Sequence, residues 1–566
     1  MPNIKSTVES GIKNKYVQPL VDKCKTFEQQ QAVVAIEKVA TGHRKRPLVL
    51  TADRGRGKSS ALAIAVAKRL SEDCNEQQNI IITAPHADAV NVFFHQLQIS
   101  CPDGKPSNNK FTYQQHIVEF IAIDVLLRDK PTAHLLLVDE AAAIPVYLLS
   151  KLVNEYHRLV FSSTQHGYEG AGRGFAVKFK TILREKTPNF NQYHMHEPIR
   201  WAENDPLESF VFDSFLFESH LFESTAVDHD KQLDVIDNTS YQYQIIERQE
   251  LFDNEVLLTQ VFSVLVTAHY QTKPSDLKLL LNNPAVRLFV VTDNENLIAV
   301  ALTLVEGSVI AEDVVDISQA KRRLKDQFLP QSLFLHNHCQ QAFDYRYLRI
   351  MRIAVLPNFQ QQKFGLKLLQ YIYQYGKNHD IDMLGTSFGA NESLLGFWTK
   401  AEYKIIRLGF SLDKASGEHS TLYINPLTPR AILLVGSFQR QFYRCFVHLL
   451  VQQYQHVSVK VITHIIEQWP KEYLPELTPF DEQVITDFIT KKSLFDTCVF
   501  SLHLKLVNEL ALHDVNKKND SITTEILIKR ILQKHDNASI CSVYALSGKK
   551  QINQIMVDGI KSLLKF

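Results

Sequence analysis

An apolar run that empties into a glycine loop limits this chain more than any other feature. Arg46-Pro47-Leu48-Val49-Leu50-Thr51 reads as a buried strand and passes straight into Ala52-Asp53-Arg54-Gly55-Arg56-Gly57-Lys58-Ser59. The alanine-rich stretch from Ser60 to Leu70 then has the composition of a helix. A strand without polar alternation is covered on both faces, so it requires parallel neighbours and helices on either side of a sheet. The loop between them is a P-loop in strand–loop–helix context, with Ala52 at the first glycine of G-x-x-x-x-G-K-S. Gly55 and Gly57 let backbone amides wrap phosphate, Lys58 would reach the outer phosphates, and Ser59 would ligate Mg²⁺.

The partner of such a loop follows in order. His134-Leu135-Leu136-Leu137-Val138-Asp139-Glu140 is an apolar strand ending in two carboxylates. Asp139 would hold Mg²⁺ and Glu140 would orient or activate an attacking water, although the same pair could simply charge the start of a helix at Ala141. A third strand, Arg158–Thr164, ends in hydroxyls and resembles the sensor strand of RecA-type ATPases; the glycine-rich Gly167–Phe175 follows. Upstream, Thr26 and Gln29 have capping-box spacing before a helix. The histidines of His194-Met195-His196 are read as structure, and Arg200 as a phosphate contact in cis.

A second organising stretch is Leu348–Leu366. It reads as a strand ended by Pro357, a glutamine-rich loop, and a helix from about Phe364 to His379. Amides delivered into a helix N-terminus favour pyrophosphate. Val355-Leu356-Pro357-Asn358-Phe359-Gln360-Gln361-Gln362-Lys363-Phe364-Gly365 resembles V-x-P-x-x-Q/R-x-x-G-x-G/A of the GCN5-related acetyltransferases, with Lys363 in place of a glycine. Strands at Tyr241–Arg248, Val286–Val291, Leu297–Val305 and Met383–Phe388, with helices at Asn254–His269, Pro274–Leu281 and Glu392–Ala401, complete that pattern.

From about 430 the text is helical, with late basic residues Lys517, Lys518, Lys529, Arg530, Lys534, Lys549, Lys550, Lys561 and Lys565. These form a solvated face or an RNA-backbone contact. A net charge of +1 excludes a uniformly basic nucleic-acid coat, and no DNA partner is expected. Seven scattered cysteines without a C-x-x-C pair fit a reducing cytoplasm, and no stretch has membrane-spanning length. The expected architecture is multidomain α/β. It comprises an arm (1–25), a RecA-like P-loop ATPase domain (26–205), a helical connector (206–240), a GCN5-related (GNAT) acetyltransferase α/β domain (241–428) and a helical RNA-binding C-terminal domain (429–566).

A P-loop ATPase joined to an acetyltransferase on one chain resembles the tRNA(Met) cytidine acetyltransferase family. The resemblance rests on the P-loop, Gly167-Tyr168-Glu169-Gly170, Glu197-Pro198-Ile199-Arg200-Trp201-Ala202, Arg352–Val355, Ser387-Phe388-Gly389 and Ala415–Ser420. It implies that ATP contacts Gln29, Gly55, Arg56, Gly57, Lys58, Ser59, Ser60, Asp139 and Arg200, with Mg²⁺ on Ser59 and Asp139. Acetyl-CoA would contact Ile353, Ala354, Val355, Gln360, Gln361, Gln362, Lys363, Phe364, Gly365, Leu366 and Lys400. The implied reaction acetylates N4 of the wobble cytidine of elongator tRNA(Met), driven by ATP hydrolysis, with Glu140 serving hydrolysis and His269, beside Tyr270, as candidate base. Departures are Lys363 for glycine, Lys400 for arginine, Ser393 where some members have glutamate, and a start almost at the ATPase. The competing readings are an RNA-remodelling ATPase with a decayed acetyl-CoA-binding domain and a protein N-acetyltransferase with a regulatory ATPase.

Overall fold

The computed structural model describes residues 23–72, 76–164, 172–216, 241–267, 274–294, 296–308, 324–413, 417–512 and 521–564. Outside them lie the expected arm as far as Asp22, Gly167–Gly170, the connector from 217 to 240, His269, Tyr270, Ala415, Ser416, Lys517, Lys518 and Lys565. The chain divides into two compact units, formed chiefly by residues up to Val227 and from Asp228 onward. Among the described residues, no helix is long and apolar enough to cross a membrane.

The first unit is built on eight strands: β1 (Leu48–Ala52), β2 (Asn79–Thr83), β3 (Lys105–Ser107), β4 (Lys110–Tyr113), β5 (His116–Phe120), β6 (Leu135–Val138), β7 (Leu159–Thr164) and β8 (Asn191–Met195). Their order is β3-β4-β5-β2-β6-β7-β1-β8, parallel from β5 to β8, with the β3–β4 hairpin added antiparallel at one edge. Alternation along each strand assigns the two faces. Leu48, Leu50, Ile80 and Ile82 join one core, while Val49, Ile81, Leu136 and Phe161 join the other. The helix Lys58–Ser71 is buried almost all round, and its alanines at 61, 63, 65 and 67 let the helices Phe27–Thr41 and Asn91–Ser100 approach closely. The RecA-like order expected from the motifs is present: β7, ending in hydroxyls, lies between the P-loop strand β1 and the carboxylate strand β6. The β3–β4 pair is unheralded in the sequence, because Lys105-Pro106-Ser107 is short, polar and exposed.

The second unit carries a seven-stranded sheet: β9 (Tyr241–Ile246), β10 (Val286–Asp293), β11 (Asn296–Gly307), β12 (Arg346–Val355), β13 (Met383–Gly389), β14 (Lys404–Leu412) and β15 (His419–Pro426), in the order β14-β15-β13-β12-β11-β10-β9. Only β12 and β13 are parallel. The helices Glu255–Thr267 and Pro274–Asn282 cover one face through Val261, Val264, Leu265 and Leu280. The helices Phe364–Asn378 and Glu392–Lys400 cover the other through Phe364, Leu368, Ile372, Leu395 and Trp398.

The C-terminal helices extend this core. Tyr443, Tyr454, Ile462, Ile466 and Trp469 pack in one cluster with Trp398 and Tyr423, and Tyr443 stacks on Trp469 at 4.8 Å. Those tyrosines are therefore core rather than surface rings. Some of the late cations are also engaged: Lys529 lies 5.1 Å over the Tyr544 ring and Arg530 lies 4.7 Å over Phe495.

Asp382 fastens the long helix Pro429–Leu449 to the sheet. Its carboxylate accepts bonds from Arg430 Nε (2.9 Å) and Nη2 (2.6 Å), Thr428 Oγ1 (2.9 Å) and the Arg346 amide (3.0 Å). Burial pushes its pKa up, but the bonds from Arg430, Arg346 and Thr428 outweigh that and hold the carboxyl below its ordinary value. A depressed carboxyl contributes stability above its unfolded pKa and loses it as pH falls through the folded value. Asp382→Asn should therefore cost about 1–2 kcal/mol near neutral pH. In thermal unfolding, the difference from wild type should shrink below about pH 4.

Candidate functional site

The P-loop is shaped by backbone geometry. Gly55 (φ +82°) and Gly57 (φ +80°) hold the left-handed conformation that a side chain would disfavour. They also lack room for one: a Cβ on Gly57 would lie 2.4 Å from Ile199 Cδ1, and a Cβ on Gly55 would lie 2.8 Å from the Trp201 ring. The segment Ile199-Arg200-Trp201 thus packs directly on the loop, and the exposed Arg200 passes beside Gly55.

Gln29 latches the loop from the other side. It is buried, accepts the Lys25 amide at 2.8 Å, and donates Nε2–H to the Gly57 carbonyl at 3.2 Å. The expected capping box is half present: Thr26 Oγ1 accepts the Gln29 amide at 3.1 Å, while the Gln29 side chain serves the loop instead. Glu28 and Glu197 brace the same corner, Glu28 accepting the His196 and Glu197 amides and Glu197 accepting the Glu28 amide.

Lys58 is buried and donates to the carbonyls of Ala52 and Asp53, both at 3.2 Å, so its ammonium is held over the loop. Arg56 turns away from that position. Its Nη2 pairs with Glu208 at 2.6 Å, and Trp201 Nε1 donates to the same carboxylate at 2.8 Å. The Arg56 side chain is thereby committed to Glu208, which leaves its backbone amide to the loop.

Asp139 is fully buried at the end of β6, one oxygen accepting the Glu140 amide at 3.0 Å and the other, Oδ2, having no hydrogen-bond partner among the described residues. On the neighbouring strand β7 the Ser162 hydroxyl is likewise buried without a partner among the described residues. An unpaired buried carboxylate oxygen is costly unless a cation completes it, so this corner fits a divalent metal. Glu140 adopts φ +49°, and Thr164 Oγ1 donates to its Oε2 at 3.5 Å. The structure thus brings the ends of β1, β6 and β7 together, as the motifs required.

In the second unit, β12 and β13 form a fork. Their pairing ends at Ile350 opposite Thr386, although β12 runs on to Val355 and β13 to Gly389. The cause is a bulge: consecutive β11 residues Leu302 and Thr303 face Arg352 and Ile350, leaving Met351 without a counterpart. At the crotch, Thr386 Oγ1 donates to the Ile350 carbonyl at 3.1 Å. Beyond it, half-buried Ile353 and Val355 line an edge of β12 that has no strand partner on that side among the described residues. Such an edge can pair with an extended, amide-bearing ligand as a strand would.

The loop after β12 has the backbone geometry of an anion cradle. Gln361 (φ +62°) and Lys363 (φ +68°) both take the left-handed state, which turns successive amides into a concavity at the start of the helix Phe364–Asn378. Gln360 Nε2 donates to the Val355 carbonyl at 3.0 Å and ties the loop to the fork. Gly365 is required for packing as well, since its Cβ would lie 3.1 Å from the Phe397 ring. Lys363, Leu366 and Lys400, named from sequence, line one cavity of about 440 Å³ together with Lys367 and Tyr403, which the motifs did not single out. Lys367 was findable as the residue one helical turn after Lys363; Tyr403 was not, because its place depends on how the helix Glu392–Lys400 ends.

Two families match this chain. RNA cytidine acetyltransferase NAT10/TcmA, helicase domain, covers residues 49–218, and GNAT acetyltransferase 2 covers residues 260–383 and 376–428. The chain is 34% identical over 542 residues to the tRNA(Met) cytidine acetyltransferase TmcA of Nitrosococcus halophilus, spanning 96% of this chain and 71% of that protein. It is 34% identical over 538 residues to the TmcA of Vibrio cholerae, spanning 95% of this chain and 72% of that one. Among solved structures, the Escherichia coli ribosomal-protein-S18-alanine N-acetyltransferase matches 33% of this chain and 94% of its own, at 13% identity and a TM-score of 0.23.

Asp139→Asn tests the metal corner. It removes a buried charge without changing shape, so the melting temperature should stay level or rise. Calorimetry should show Mg²⁺-dependent ATP binding weakened by about tenfold or more. Lost stability with unchanged Mg²⁺ dependence would make Asp139 structural.

Proposed function

The chain belongs to the tRNA(Met) cytidine acetyltransferase family, and we propose that it acetylates N4 of the wobble cytidine of elongator tRNA(Met), using acetyl-CoA and coupling the transfer to ATP hydrolysis. One observation carries this reading: a bulge-opened fork above a pyrophosphate cradle stands on the same chain as a full P-loop set.

Acetyl-CoA, when bound, supplies an activated thioester acyl group. The residues of this chain do the rest. The turn Gln360–Leu366 offers amides and a helix N-terminus to the pyrophosphate, and the free edge of β12 at Ile353, Ala354 and Val355 aligns the arm. The bulge at Met351 turns backbone groups out of the ladder, where an N–H can stabilise negative charge developing on the thioester oxygen.

The exocyclic amine of cytosine shares its lone pair with the ring and attacks poorly, so holding it near the fork contributes much of the rate. His269, outside the described residues, is assigned the proton from N4. Bringing the wobble base out of its stack costs a few kcal/mol, roughly the scale of work that nucleotide hydrolysis readily covers. In the first unit Lys58 neutralises phosphate charge, Ser59 and Asp139 hold Mg²⁺, and Glu140 orients the attacking water. The partner is tRNA, and a tRNA substrate supports a cytoplasmic location for the enzyme.

The experiment is mass spectrometry of nucleosides from tRNA incubated with the chain, acetyl-CoA and ATP, with N4-acetylcytidine as the expected product. Lys58→Ala should stop ATP hydrolysis, leave acetyl-CoA binding unchanged, and lower RNA acetylation by about a hundredfold or more. Gly365→Glu should do the reverse, because its carboxylate enters the anion cradle and presses on Phe397. Wild-type acetylation by Lys58→Ala without bound nucleotide would break the coupling.

A further inference from the structure

The seven-stranded sheet has two faces, and the anion cradle belongs to one of them. There the helices Phe364–Asn378 and Glu392–Lys400 join one core with Leu348, Ile350 and Leu384. Arg349 lies between Leu348 and Ile350 on β12, so alternation sends it to the opposite face. Its neighbour on β13 is Gly385, where a Cβ would meet Leu329 Cδ1 at 2.6 Å. Arg352, beyond the bulge, shares that face: Arg349 and Arg352 stand opposite Leu304 and Leu302, two positions apart on β11. With helices covering the cradle side, an acceptor reaches the fork from this second face.

An aromatic ring stands there. Phe328 opens the helix Phe328–His336 and is 38% exposed, although Leu329 beside it is fully buried. The Arg349 guanidinium carbon lies 4.8 Å from the centre of the Phe328 ring. Buried Glu306 pins both: its Oε1 pairs with Arg349 Nη1 at 3.0 Å, and its Oε2 accepts the Leu329 amide at 2.7 Å. A buried carboxylate with both oxygens engaged leaves little freedom to either partner. Arg349 sits one residue short of the point where β12 and β13 separate, at Ile350 and Thr386. A partly exposed ring with a cation over it, held rigidly beside an opening, offers a surface on which a nucleobase stacks.

Resting on the RNA-acetylation reading above, we propose that Phe328, with Arg349 over its ring, is the stacking platform that receives the acceptor base once it has left its own stack. Arg349 and Arg352 put positive charge on the same face, where the phosphates flanking that base arrive. Every base has a π-face, so the platform positions the base for attack rather than choosing it.

Acetylation kinetics of the full chain on tRNA test this with two variants. Phe328→Leu keeps an apolar side chain of similar bulk, and Phe328→Tyr keeps the ring. For Phe328→Leu, kcat/KM for tRNA should fall by about tenfold or more. For Phe328→Tyr it should stay within about threefold of wild type. Arg349→Lys, which retains the charge beside Glu306 but loses the planar group, should lose roughly two- to fivefold. Acetyl-CoA affinity and melting temperature should match wild type in both Phe328 variants. On tRNA lacking the base at the acceptor position, wild type and Phe328→Leu should bind alike, because nothing is left to stack. Wild-type rates from Phe328→Leu, an equal loss from Phe328→Tyr, or weaker binding of the baseless tRNA by Phe328→Leu overturns the proposal and leaves the acetylation reading standing. A fall in acetyl-CoA affinity or melting temperature that matches the fall in rate makes Phe328 structural and overturns it too. Wild type that binds acetyl-CoA yet acetylates no RNA overturns the acetylation reading, and the proposal with it.

Discussion

The second unit depends on one extra residue in β12. Met351 has no counterpart on β11, and from that point β12 and β13 part company. A central strand with an open edge is ordinarily a liability, because unpaired amides and carbonyls there invite aggregation or collapse. Here the parting is stabilised from both faces. Leu302, Val300 and Ala354 pack under the helices Glu255–Thr267 and Pro274–Asn282, while Ile350, Phe364 and Leu368 pack on the other side. Thr386 closes the crotch and Gln360 caps the far end, so the opening is held at a fixed length rather than left to zip or fray.

The first unit shows the same economy with charge instead of backbone. Asp139 keeps a buried oxygen unpaired among the described residues, a group that lowers stability until something completes it. The loop facing it is fastened from several directions by Gln29, Ile199, Trp201 and the Arg56–Glu208 pair. Rigid surroundings around an unsatisfied centre are what a binding site needs, since little reorganisation remains for the ligand to drive.

Much of both sites could be read along the chain because their chemistry is local. A glycine loop, its lysine and its serine are neighbours in sequence, and so are a proline-ended strand, its glutamine turn and Gly365. The strands read from the sequence recur with ends displaced by a few residues: Val286–Val291 is the expectation and Val286–Asp293 is found. What escaped was carried by polar or long-range features. Lys105–Ser107 joins the sheet only because β4 is there to pair with it, and the β14–β15 hairpin has its pairing interrupted by register shifts. Gln29 looks like half of a cap, yet its side-chain amide donates to the loop 28 residues away, which spacing alone cannot reveal.

Sequence alone determined the two loops that lead into helices, the strands that feed them and the family to which they point, since each is a run of neighbouring residues whose backbone demands are written in glycine, proline and apolar spacing. The tertiary structure decided which way the side chains face. It turned Arg56 onto Glu208, drew the tyrosines of the C-terminal helices into the transferase core, and gathered Lys363, Lys367, Lys400 and Tyr403 around one cavity. Those outcomes depend on packing between segments tens of residues apart, where burial and charge compensation are set by the neighbours that folding supplies.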